Sequence, residues 1–202
     1  MPTLALILIT LEKKLMKTVG LLFILLLVNG CTTIVDATTK EPIHSDPRTR
    51  SFGTYVDDQR LEMIVAVNIR KADPIFRQAH VRVVSFKDVI LLLGQVPTNE
   101  LRLLAGQTAN KVDGVRKVYN EMDFSANTSL WRRSKDTWLT SKVKASYLSN
   151  QEVSGLKIKV VTEDGVVYLM GAITEEKSNL AADLASIIGG VREVVRVFEY
   201  IN

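Results

Sequence analysis

One cysteine and two histidines are too few to build most catalytic or metal-binding sites in this chain of 202 residues. A single thiol cannot form an intramolecular disulfide. His44 falls in a polar stretch with two prolines and His80 just ahead of a strand, so no histidine pair and no metal-ligand spacing exists. The glycines sit where helices stop or strands end, and none forms a phosphate-cradling loop between a strand and a helix. The paired acids Asp57-Asp58, Glu163-Asp164 and Glu175-Glu176 are explained by caps and turns. An enzyme is therefore not expected, and neither is a bound cofactor.

Long apolar runs are also missing. The best candidate, Val19 to Val28, is shorter than the roughly 20 residues a membrane span needs. What it does have is a basic start at Met16-Lys17 and a small residue, Gly30, before the only cysteine, Cys31. That order is a secretory signal. With the cysteine just after the cut, it resembles the lipobox of bacterial lipoproteins, from which Val28 and Asn29 depart. The resemblance implies a covalent lipid such as palmitate on Cys31, and Thr32, standing where an Asp would mark inner-membrane retention, implies transfer to the outer membrane. A lone thiol in an oxidising compartment would be a liability that lipidation removes. Residues 1–15 precede an already complete signal, so Met16 is expected as the translation start, with Met1 the alternative.

Removing Lys13, Lys14, Lys17 and Glu12 with the leader (residues 1–30) takes the net charge from +4 to +2. A charge that small does not support nucleic-acid binding. Residues 31–51 are polar, carry Pro42 and Pro47, and read as a tether from Thr32 to Ser51 that spans at most about 65 Å.

The rest of the chain is written twice. A shift of 77 residues lays Val81-Arg82-Val83-Val84 on Ile158-Lys159-Val160-Val161, and the run from Val89 to Val96 on Val166 to Ile173. Two homologous domains follow, residues 52–125 and 126–202. Each is small for an independent core, so the two are expected to pack against each other as a monomer. In the second copy, Ile158 to Thr162 and Val166 to Met170 flank an Asp-Gly turn, which predicts a hairpin. Leu180, Ala181, Leu184, Ala185 and Ile188 keep a helical period that Gly189-Gly190 stops, and Val194 to Ile201 forms the last strand. A strand, a helix and a strand imply a parallel crossover, so each three-stranded sheet is mixed. Leu139, Val143 and Tyr147, and likewise Leu61, Val65 and Ile69, predict a helix before each hairpin, with Asp136 and Asp58 as N-caps. The fold is α+β, helix-strand-strand-helix-strand in each copy. Val89 to Leu93 lacks polar alternation, which predicts a strand covered on both faces, by helices and by the other domain.

The hairpin ending in Val-x-Leu-x-Gly-x-Val, the Ala-rich helix and the closing Gly-Val-x-x-Val resemble the BON domain. Two copies behind a lipobox, with Asp46-Pro47-Arg48, Val56-Asp57-Asp58, Val118-Tyr119-Asn120-Glu121 and Asp136-Thr137-Trp138 followed by Lys142-Val143, are similar to dual-BON outer-membrane lipoproteins.

Where the copies differ, function is the first suspect. Trp138 stands at the position of Arg60, off the core stripe. Lys135, Trp138 and Lys142 share one flank, while Lys144 and Leu148 project opposite Leu139. From Arg132 to Lys144 there are five basic residues and one acid, and an exposed aromatic on a basic helix reads as a membrane-surface element. Two placements of Trp138 stay open at this stage: exposed on that flank, or covering a sheet edge or the domain junction. The resemblance implies the first, with anionic phospholipid (phosphatidylglycerol or cardiolipin) contacted by Trp138, Lys142, Lys144, Leu148 and Lys135. It further implies a periplasmic face, enrichment at the division site and a role in envelope integrity. A second reading makes the chain an adaptor for the outer-membrane protein assembly machinery, with Arg60, Arg70 and Lys71 exposed for a protein partner. A third is a structural spacer.

Replacing Cys31→Ala is expected to abolish palmitate labelling, leaving a soluble protein if the leader is still cut and an inner-membrane species if it is not. Labelling at the level of the unaltered protein would remove the lipoprotein reading.

Overall fold

The computed structural model describes residues 52–153 and 158–201. The leader, Cys31, the tether and His44 lie outside the described residues. The order is α1 (Phe52–Ala72), a 3-10 turn (Pro74–Arg77), β1 (His80–Phe86), β2 (Val89–Val96), α2 (Asn99–Asn110), β3 (Lys117–Asn120), β4 (Asp123–Phe124), α3 (Leu130–Ser149), β5 (Ile158–Glu163), β6 (Val166–Ile173), α4 (Glu175–Ser186) and β7 (Glu193–Tyr200). Both copies are helix-strand-strand-helix-strand, and the fold is α+β as expected.

Each hairpin turns through two residues, Lys87-Asp88 and Asp164-Gly165, all four with positive φ. This backbone hand matches the twist of the paired strands. The central strands β2 and β6 then pair antiparallel with β1 and β5 and parallel with β3 and β7. In the first sheet the parallel edge comes in two pieces. β3 pairs up to Leu92↔Asn120 and β4 resumes at Gln95↔Asp123 in unchanged register. The gap faces Gly94, whose φ of 108° and whose contact with the His80 carbonyl leave no room for a Cβ.

Alternation along the central strands divides their side chains between two cores. Ile90, Leu92 and Val96 turn to α1 and α2, joining Leu61, Val65, Ile69 and Ala105. Val167, Leu169 and Ile173 turn to α3 and α4, joining Val143, Tyr147, Ala181 and Ala185. The other faces meet: Val84, Phe86, Val89, Leu91 and Leu93 of the first copy pack with Val161, Tyr168, Met170 and Val197 of the second. Every residue of β2 is buried, as the missing polar alternation predicts. All three clusters lie within Asp46–Asn202, which is one compact unit. Among the described residues, both domains contribute to one continuous body within this unit.

Polar ties fix the junction. Lys159 Nζ donates to Glu62 Oε1 at 2.7 Å and to the Ser85 carbonyl at 2.8 Å. Arg116 pairs with Glu199. Gln95 Nε2 donates to Glu163 Oε1 at 3.1 Å, while its Oε1 accepts from the Thr128 amide and hydroxyl, both at 3.1 Å. His80, the first residue of β1, sets its Nε2 3.2 Å from the same Glu163 oxygen. Burial by itself would raise the Glu163 carboxyl. The His80 and Gln95 hydrogen bonds, with the charges of His80 and Arg82, outweigh it and hold the group below its ordinary value.

Three local expectations are corrected. Asp58 and Asp136 are not N-caps: α1 begins at Phe52 and α3 is capped by Ser129, whose side chain accepts from the Arg132 amide. Both aspartates are buried inside their helices, Asp58 accepting from Ser85 Oγ at 2.7 Å and Asp136 binding the hairpin turn. Glu163 is likewise a buried junction residue and not a turn cap. The last helix stops at Ser186 with Ile187 as C-cap, before Gly189-Gly190, so Ile188 lies beyond it. Gly190 does take a positive φ, 104°, and a Cβ there would meet Leu139 Cδ2 at 3.1 Å.

Gly190→Val is thus expected to destabilise the second domain by about 1–3 kcal/mol, read as a lower midpoint in chemical denaturation; an unchanged midpoint would contradict the strain. Because the folded Glu163 carboxyl lies below its ordinary 4.5, its contribution is present above that value and lost as pH falls through the folded one. The Tm gap between the unaltered protein and Glu163→Gln should be widest above about pH 5 and close in acid.

Candidate surface helix

α3 is held against rotation by three contacts on its inner side. Leu139, Val143 and Tyr147 are buried, and the Tyr147 hydroxyl donates to the Ala181 carbonyl at 2.7 Å. Asp136 accepts from the amides of Asp164 at 2.9 Å and Gly165 at 2.8 Å, so one carboxylate closes the tip of the β5-β6 hairpin. Burial pushes the Asp136 carboxyl up from its ordinary value, and the two amide bonds pull it partly back. Thr140 and Thr162 share a 2.7 Å hydroxyl bond. With the inner side fixed, the outer side is decided.

Trp138 points outward and is 56% exposed, which excludes the placement over a sheet edge or in the domain junction. Lys142 Nζ sits 4.1 Å from its ring centroid, in cation-π contact. Lys135 and Lys144 are exposed, and Leu148 is 74% exposed. Two further apolar side chains stand beside them, Trp131 at 81% and Leu130 at 78% exposed.

At about 100° per residue, Leu130, Leu148, Ala145, Trp138 and Trp131 fall within one arc of roughly 100°. Lys135 and Lys142 lie at one rim and Lys144 at the other. The five residues expected from sequence therefore belong to one surface, with Lys144 separated from the other two lysines by the width of the apolar strip. Trp131 and Leu130 were missed because taking Asp136 as the cap, where Ser129 is the cap, started the helix seven residues late. The signal was present: Trp131 and Trp138 are seven apart, which places them on one line about 10 Å apart along the axis. Ser134 and Ser141 fall in the same arc, between the leucines and the tryptophans, and a strip with large apolar side chains on its surface and cations at both edges has the form of an interfacial helix.

Among the described residues no group of acids, histidines or cysteines could hold a metal ion, and no helix is long and apolar enough to cross a membrane.

The family model for the BON domain matches residues 57–126 and 135–202. The chain is 37% identical over 177 residues to the outer membrane lipoprotein DolP of Haemophilus influenzae, covering 87% of this chain and 91% of that one. It is 36% identical to a 21 kDa hemolysin of Actinobacillus pleuropneumoniae, over 78% of this chain and 80% of the relative. It is 28% identical to the osmotically-inducible protein Y of Escherichia coli, over 74% and 75%.

Proposed function

This chain belongs to the BON-domain family, as a two-domain relative of DolP, and on that footing we propose that it is a non-enzymatic outer-membrane lipoprotein facing the periplasm. It binds anionic phospholipid through α3 and supports envelope integrity. The observation that carries the reading is the outward strip of Leu130, Trp131, Trp138 and Leu148 between lysine rims, on a helix whose inner side is locked. Exposed tryptophans are costly unless a partner covers them, and indoles favour the membrane interface, where an apolar ring meets headgroups. The lysines carry the sign that attracts phosphatidylglycerol or cardiolipin, about 1 kcal/mol each near the surface.

Anchoring is the task of the lipid on Cys31. The helix by itself holds weakly, and two signals together hold far more firmly than either. α3 then sets orientation and selects anionic regions of the leaflet, including those at the division site.

The first domain supports a second reading. Its α1 exposes Met63 at 62% and Val56 at 48%, with Arg60, Arg70 and Lys71 exposed on the same helix. This surface suits a protein partner such as the outer-membrane protein assembly machinery. A crosslinked partner lost on changing α1 alone would favour it.

The unit Asp46–Asn202 should bind phosphatidylglycerol vesicles saturably, with a blue shift of indole fluorescence, and leave neutral vesicles unbound. Withdrawing one inserted indole by Trp138→Glu is expected to weaken binding by about tenfold or more, and Trp131→Glu comparably. Flat titrations by a folded protein would end the phospholipid reading.

A further inference from the structure

A cleft of about 300 Å³ opens on the far flank of α3, between the two domains. Arg133, Thr137 and Thr140 line it from the helix, Arg82 from β1 and Thr162 from β5. Thr137 falls within roughly 20° of Leu130 and Leu148 around the helix, so the cleft's mouth borders the exposed apolar strip. A bilayer seated on that strip would present its headgroup layer to the cleft.

The donors there exceed the acceptors left to meet them. Arg133 Nη2 donates to the Thr128 carbonyl at 3.2 Å, but its Nε is buried with no hydrogen-bond partner. A buried guanidinium N–H without an acceptor is costly and calls for an anion or a water. Arg82 is exposed, and one of its five donors meets the Thr162 carbonyl at 3.3 Å. The two acids of the lining are already engaged. Asp136 is held by two backbone amides, and Glu163 by His80 and Gln95. The threonine hydroxyls of the lining are engaged as well, Thr137 donating to the Arg133 carbonyl at 3.1 Å and Thr140 to Thr162, so the two planar guanidinium forks are what a tetrahedral phosphate would meet.

We propose that this cleft receives the phosphodiester of an anionic phospholipid headgroup, with Arg133 and Arg82 as forked donors. The assignment rests on the membrane-surface reading of α3 and adds selectivity to it: the protein distinguishes a phosphate surface from any other surface of equal charge. Since Arg82 belongs to the first domain and Arg133 to the second, a seated headgroup also bridges the two.

The test uses Asp46–Asn202 and neutral phosphatidylcholine vesicles doped to the same surface potential with either phosphatidylglycerol or oleate. The unaltered protein should bind the phosphatidylglycerol surface severalfold more tightly. Arg82→Gln should lower that binding by roughly fivefold and leave oleate binding nearly unchanged, since one phosphate contact is removed and the strip is intact. Arg82→Lys, which keeps the charge and loses the fork, should also erase the preference. Equal affinity for the two surfaces, or equal losses on both, would overturn the cleft while leaving the strip's role standing. Failure of the unaltered protein to bind either surface would overturn the strip's role and the cleft with it. Saturable NMR shifts at Arg133 Nε with free glycerol phosphate, at concentrations matching the vesicle phosphate, would overturn the membrane as the source of the ligand.

Discussion

The interface between the two sheets is the constraint on which everything else depends. A three-stranded sheet with helices on one side leaves its other side bare, and neither copy can cover that side alone. Val84, Phe86, Val89, Leu91 and Leu93 meet Val161, Tyr168, Met170 and Val197 because strand alternation sends every second side chain of β2 and β6 away from its own helices. The repeat supplies matching positions to that interface, since Leu91 aligns with Tyr168 and Leu93 with Met170. Packing of this kind is dense and tolerates little volume change. It also leaves both first helices on the outside, one on each domain, where their free faces can diverge.

Divergence of those faces explains how one fold carries two surfaces. Asp58 and Asp136 occupy matching positions and each ties its helix to its own hairpin, one through the Ser85 hydroxyl and the other through the turn amides. Rotation is set the same way in both, so what differs is only what points out. In α1 that is Arg60 and Met63; in α3 it is Trp138 and Ser141, with Trp131 a heptad earlier. Selection can change these residues without touching a core, which is why the outward faces differ while Leu61 and Leu139, or Val65 and Val143, stay apolar.

The junction is more polar at its margins than its centre. Lys159-Glu62, Arg116-Glu199 and the His80-Glu163-Gln95 cluster ring the apolar contact. Gln95 also holds Thr128 in the segment that joins the domains, so the linker is bound to the junction it spans. The cleft beside α3 is a product of this arrangement, with walls from both domains. A ligand seated in it would therefore touch both domains.

Local patterns in the sequence determined a great deal. The repeat, both hairpins, the helical stripes, the mixed sheets and the double covering of β2 were legible because each follows from short-range periodicity or turn chemistry. The flank of Lys135, Trp138 and Lys142 was legible for the same reason. What the sequence could not decide was the partner of each polar group. Asp136 has the composition of an N-cap, and only the approach of the β5-β6 turn, 28 residues further on, makes it an internal ligand for two amides. That one substitution of partner moved the start of α3 and hid Trp131 and Leu130 from view. Glu163 likewise sits in a turn by sequence and in a buried junction in space, next to a histidine more than eighty residues away. Hydrogen bonds between distant residues are set by how the sheets pack, and no local signal encodes them; hydrophobic period and turn type are properties of a few neighbouring residues, and the chain carries them wherever it goes.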